Sequence, residues 1–278
     1  MSELNLTAPA PLPAQHQNLG RNLAIDLLVL LLAVLVISVV IPGLFLVIHL
    51  MQQGTSLTAL QGMKPDEILK IIGVPGIVAL LIAQNGLFVF VPMARTLWIR
   101  REPIAGLGWS LPNPLRDIGL GVGLGIVILI SNVLIGLTFA SFNMRQNQAA
   151  QYPLFAGDYL GQAAFFIGAA VLVPIGEEVL FRGYIFNILR RMWGEQPWGN
   201  AAVFGVSALI FSLAHAAAAS QHVLALLVPA FVMGLLLSYG MYRTGSLVPG
   251  IIAHAMNNSL ALTALLVCVN SPALCPNI

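Results

Sequence analysis

The chain has 278 residues, 58% of them hydrophobic and only 8% charged, with a formal net charge of +2 and a mean hydropathy of +0.90. A soluble domain carries about 25% charged residues, so the composition excludes a water-soluble globular protein and defines an integral membrane protein surrounded by lipid. The small net charge and the scattered arginines exclude nucleic acid as a partner.

The chain opens on "MSELNLTAPAPLPAQHQNLG", rich in Pro, Ala and Gln. It lacks a basic n-region, and the apolar run after it is too long for a signal peptide. Residues 1–22 therefore read as a disordered tail. A membrane span needs about 20 mainly apolar residues. Seven runs qualify: 23–50, 71–98, 117–142, 159–192, 201–217, 222–242 and 247–269. The fourth is too long to be simple, and Pro174 is expected to kink it. The fifth is short enough to be tilted or shielded by its neighbours. The expected fold is all-α, a polytopic membrane helix bundle of about seven helices, or eight if the fourth breaks at Pro174. Residues 23–150 read as accessory spans and residues 151–270 as the core that carries the chemistry.

Basic residues set the orientation. With the N-terminus inside, Arg21, Arg95, Arg100, Arg101, Arg116, Arg190, Arg191 and Arg243 lie on the inner side, and Lys64, Lys70 and Arg145 on the outer. That asymmetry predicts an N-in protein of a bacterial inner membrane, with the C-terminus outside. Cys268 and Cys275 have no metal-type spacing but can pair on an oxidising face. Asp26 and Asp117 fall near span starts, where a carboxylate suits the helix dipole. His49 reads as interfacial, and His16 and His222 have no assigned role. The glycines of "GLGVGLGIVILISN" suggest close helix packing. The sequence contains no P-loop, no H-E-x-x-H and no G-x-S-x-G.

Three polar sets interrupt the apolar runs: Glu177, Glu178 and Arg182; His215; and His254 with Asn257 and Asn258. A charge at a helix centre costs roughly 2.5–3.5 kcal/mol on the insertion scale. Such groups must pair or face a polar cavity. Glu178 and Arg182 are four apart and share a helix face, so they form an ion pair. Glu177 is rotated about 100° away and stays free for chemistry. His254 and Asn258 also share a face. At about 1.5 Å per residue, Glu177 and His215 each lie ~20 Å from the inner ends of their helices and His254 ~11 Å. One glutamate and two histidines from three helices can then meet in one wet cavity. Each set also has a plainer reading: an interhelical ion-pair lock, a hydrogen-bonded packing histidine, and asparagine as interhelical glue.

The ordered set E-E-x-x-x-R, F-x-x-x-H and H-x-x-x-N, here Glu177 to Arg182, Phe211 to His215 and His254 to Asn258, resembles the CAAX protease and bacteriocin-processing family. That family includes the type II CAAX prenyl endopeptidases, which are intramembrane proteases. The resemblance covers about residues 160–260. It implies that Glu177 and His215 activate a water, that His254 and Asn258 stabilise the oxyanion, and that Glu178 and Arg182 hold the geometry. The substrate would be a membrane-associated or prenylated peptide or protein. Metal dependence stays open: zinc is the candidate cofactor, with Glu177, His215 and His254 as ligands, and the reading leans towards water activation without metal. The alternative class is a transporter or channel with a Glu/His proton or ion relay, against which no inverted repeat is visible.

Overall fold

A computed structural model describes residues 18–54, 56–144, 152–219 and 222–275. Their apolar runs form helices α1 (Leu19–Gln53), α2 (Pro65–Ala94), α3 (Pro114–Ser141), α4 (Tyr159–Trp193), α5 (Gly199–Ala214), α6 (Leu224–Thr244) and α7 (Val248–Asn270). The protein is a polytopic helical bundle of the membrane. Six helices are long and apolar enough to cross, and α5 is the short exception. Its 16 residues reach about 24 Å, less than a hydrocarbon core of about 30 Å. The run expected at 201–217 is therefore not a full span, and His215 caps α5 rather than lying inside it. The expected tail at 1–22 is corrected in part: residues 19–22 already belong to α1, while residues 1–17, His16 among them, lie outside the described residues, as does Arg145.

Local chemistry sets the helix ends. Asn113 caps α3 by accepting from the Arg116 N–H, with Pro114 in the first turn. Asp158 caps α4 by accepting from the Gly161 N–H. Asp117 does sit in the first turn of α3 and pairs with Arg116 at 2.8 Å. Asp26 does not serve a helix dipole. It lies well inside α1, where its carboxylate pairs with Arg95 at 2.8 Å and accepts from the hydroxyl of Tyr184. That contact ties α1 and the end of α2 to α4. Cys268, in the last turn of α7, forms a disulfide with Cys275 just beyond the helix, Cα to Cα 5.5 Å.

α4 is the central helix. Half of its apolar window is buried inside the protein, against 11% for α1, and every residue from Val179 to Phe186 is buried. It does not break at Pro174. Two π-helical stretches, Gly168–Leu172 and Val179–Phe186, flank the segment Val173–Glu178 and carry the helix through. α3 packs against α7 across Gly121 and Gly125. A Cβ on Gly121 would meet Pro249 O at 3.0 Å, and one on Gly125 would meet Met256 Sδ at 2.8 Å. The glycines of the third span thus permit close helix approach, as in other membrane bundles.

Candidate active site

The charged set of α4 lies in the buried middle of that helix. Glu178 and Arg182 form an ion pair one helical turn apart, Arg182 Nη1 donating to Glu178 Oε1 at 2.8 Å, with side-chain exposures of 0% and 1%. Such burial stabilises to the extent that the remaining polar atoms find partners; Glu178 Oε2 and Arg182 Nε have no hydrogen-bond partner among the described residues, but others do. Arg182 Nη2 donates to Gly234 O of α6 at 3.3 Å, and the guanidinium stacks over the Phe211 ring of α5 at 4.2 Å. Glu178 also faces α7: its Oε1 lies 3.3 Å from His254 Nδ1. The pair therefore joins four helices, which a structural lock requires, and it also holds an imidazole.

Glu177 points elsewhere. Its Oε2 lies 3.8 Å from His215 Nε2 and 3.7 Å from His254 Nε2, and it is buried without a hydrogen-bond partner among the described residues. The ring orientations follow from the other nitrogens. His215 Nδ1 is 2.8 Å from Phe211 O. A carbonyl only accepts, so Nδ1 donates to it and Nε2 is the nitrogen turned towards Glu177. His254 Nδ1 likewise donates to the Glu178 carboxylate, which leaves its Nε2 facing Glu177. The Phe211 ring lies 4.7 Å from the His215 ring and 5.9 Å from the His254 ring, walling the histidines on one side.

Glu177, Glu178, Arg182, His215 and His254 thus meet in one cluster. Asn258 shares the His254 face of α7 but sits one turn further on. Its Nδ2 donates to Ala169 O of α4 at 3.0 Å, and its Oδ1 accepts from Asn257 Nδ2 at 3.2 Å. The Ala169 carbonyl is open for a reason legible in the chain. In α register it would accept from the Val173 N–H, but Val173 bonds Gly168 O instead. In the π register the donor falls to residue 174, and proline has no N–H. Asn258 fills the gap.

The metal expectation gains no support. Among the described residues no group of three His, Cys, Asp or Glu side chains is arranged to hold an ion.

The motifs do not reveal Asn85 of α2. It is buried, with Oδ1 unpartnered, against Gly176: a Cβ on that glycine would lie 2.3 Å from the Asn85 oxygen. The signal for it is the polar pair in "IAQNGLFVF", the one break in the second apolar run around it.

The structure is a membrane helix bundle in which paired glutamates and two histidines converge at a buried carboxylate. Residues 159–260 match the family described as Type II CAAX prenyl endopeptidase Rce1-like, which bears out the resemblance drawn from the three motifs. At the family level the match supports a CAAX-type intramembrane protease. The chain is also similar to a protein of Escherichia coli described as "Uncharacterized 24.3 kDa protein", with 29% identity over 169 residues, 59% of this chain and 70% of that protein. No solved structure matches.

Proposed function

We propose that this protein is an intramembrane endopeptidase that cleaves a membrane-associated or prenylated peptide with a water activated by Glu177 and His215. The observation that carries the reading is the placement of Glu177 Oε2 between two imidazole Nε2 atoms at 3.8 and 3.7 Å. Those separations are too long for direct hydrogen bonds and suit a shared water. No metal is assigned to the step.

In this reading Glu177 takes a proton from the water while the His215 Nε2 lone pair orients it. The water oxygen bonds to the scissile carbonyl carbon, and the carbonyl π pair moves to oxygen. His254, donating through Nε2 when protonated, and the second N–H of Asn258 stabilise that oxyanion. The C–N bond then breaks, and the proton held by Glu177 passes to the leaving amine. Glu178 orients His254 through Nδ1 and is itself fixed by Arg182. The products are a carboxylic acid and an amine, so atoms balance with one water consumed.

The test is cleavage by purified protein in proteoliposomes of a farnesylated CAAX peptide beside the same peptide without lipid. Turnover of the farnesylated peptide, lost in Glu177→Gln, supports the reading. Turnover of neither peptide removes it, and ion flux dependent on Glu177 in the same vesicles would put a transporter in its place.

A further inference from the structure

Three asparagines form a chain between α3, α7 and α4. Asn132 Nδ2 of α3 donates to Asn257 Oδ1 at 2.8 Å, Asn257 Nδ2 donates to Asn258 Oδ1 at 3.2 Å, and Asn258 Nδ2 donates to Ala169 O at 3.0 Å. From this we infer that Asn132 is a positioning residue for Asn258, acting through Asn257 to hold the Asn258 carboxamide in place.

A carboxamide can turn over, exchanging its donor end for its acceptor end, and three in a row can run in either direction. The far end decides. Ala169 offers a carbonyl that only accepts, so Asn258 must present Nδ2 to it. Asn258 Oδ1 then accepts from Asn257, and Asn257 Oδ1 accepts from Asn132. The reversed chain would set two oxygens against each other at Ala169. Asn132 completes the forward direction by supplying the donor that Asn257 Oδ1 requires. Without it, Asn257 Oδ1 has no donor, Asn257 is held by its bond to Asn258 alone, and the support behind the Asn258 oxygen loosens.

The helix packing is built for the contact. Gly121, Gly125, Ile128 and Asn132 follow one stripe of α3 at spacings of four, three and four. A Cβ on Gly125 would sit 3.4 Å from Ala253 Cα of α7, and Ile128 is fully buried. The close approach at the glycines brings α3 near enough for a short asparagine to reach across. A larger residue at either glycine would part the helices and break the chain. Asn132 also lies outside residues 159–260, the matched stretch, so the accessory half of the protein would contribute directly to the geometry of the site.

This inference rests on the reading of Asn258 as an oxyanion donor. Asn132→Leu, Asn257→Leu and the double variant are compared with wild type on the farnesylated peptide, and the Asn258 side-chain amide signal is followed by NMR of 15N-asparagine-labelled protein in detergent. Leucine suits a lipid-facing helix, so folding is expected to survive. Each single variant should lower kcat roughly 10- to 100-fold, the scale of a small misplacement of a reacting group, with KM held. The double variant should lose no more than the worse single, because both act through Asn258. The Asn258 amide signal should shift in Asn132→Leu. Unchanged kcat together with an unmoved Asn258 signal overturns the inference, as do additive losses with that signal unmoved. Turnover of neither peptide by the wild-type protein would instead remove the protease reading, and the Asn258 signal then decides the asparagine chain on its own.

Discussion

Glu178 fills the space in front of Gly250: a Cβ on that glycine would lie 2.3 Å from the Glu178 Oε2 oxygen. The carboxylate has little freedom to retreat, because its Oε1 is fixed by Arg182 at 2.8 Å and faces His254 at 3.3 Å. α7 therefore approaches α4 through a gap that only glycine leaves open. Gly250→Ala is expected to cost about 1–3 kcal/mol, the usual range for overpacking, and to displace His254 through Glu178. Thermal unfolding in detergent and peptide cleavage should both fall. Gly119→Ala, where nothing lies within 4 Å of the added Cβ, is the control and should be near neutral. Equal melting points for the two variants would show that the gap is not tight.

The two glutamates should give opposite profiles. Glu177 has no ion-pair partner closer than 3.7 Å, so Glu177→Gln should keep the melting point and abolish turnover. Arg182→Ala strands the Glu178 charge in a fully buried position. Breaking such a pair costs about 3–5 kcal/mol, so expression and melting point should drop. Glu178→Gln combined with Arg182→Gln removes both charges and should restore much of the stability. Turnover should stay low in the double variant, because His254 loses its anionic partner. An Arg182→Ala protein that melts like wild type yet cleaves nothing would put Arg182 in the chemistry itself.

Much of this site could be read from spacing. The i, i+4 separation of Glu178 and Arg182 places them on one face of any helix near α register, and the offset of one residue sends Glu177 to another. Arg182 lies inside the π-helical stretch Val179–Phe186, yet the pair still closes at 2.8 Å. Register over a longer stretch was less readable. A break at Pro174 is one alternative that the sequence leaves open, whereas the helix continues through it with π register on either side. Nor does spacing along one helix show what a residue meets on another. Phe211 stands in its motif as a spacer before His215, yet its ring touches Arg182 and both histidines. Asn85 and Asn132 belong to no motif, and only packing of α2 and α3 against the core brings them in. The length of α5 sets a further limit: an apolar run shows that a helix is hydrophobic but not where it stops, so the run 201–217 encloses His215 although α5 ends one residue before it.

The two histidines should behave as one unit. His215 Nε2 and His254 Nε2 face the same Glu177 oxygen, so both are expected to act on one transition state. His215→Ala and His254→Ala should each lower kcat by several orders of magnitude, and the double variant should be little worse than the more damaged single. Single-turnover rates on the farnesylated peptide give the comparison. Losses that multiply would mean that the two rings serve separate steps.

Pro174 offers a test in which stability and activity move apart. The Ala169 carbonyl accepts from Asn258 Nδ2 at 3.0 Å because the residue due to bond it has no N–H. Pro174→Ala restores that donor. The new N–H lies on the same helix as Ala169 and needs no side-chain ordering, so it should displace the Asn258 amide. Interior proline disfavours a helix by up to about 3 kcal/mol relative to alanine. Part of that cost is already relieved by the π-turn at Gly168–Leu172, so the gain in stability should be smaller, with the melting point equal to or above wild type. Turnover should nevertheless fall, since Asn258 loses the bond that fixes its orientation. Asn258→Ala should then add little to Pro174→Ala, whereas the two changes would combine fully if proline acted only by bending α4. A Pro174→Ala protein with wild-type kcat would show that the Ala169–Asn258 bond plays no part in the reaction.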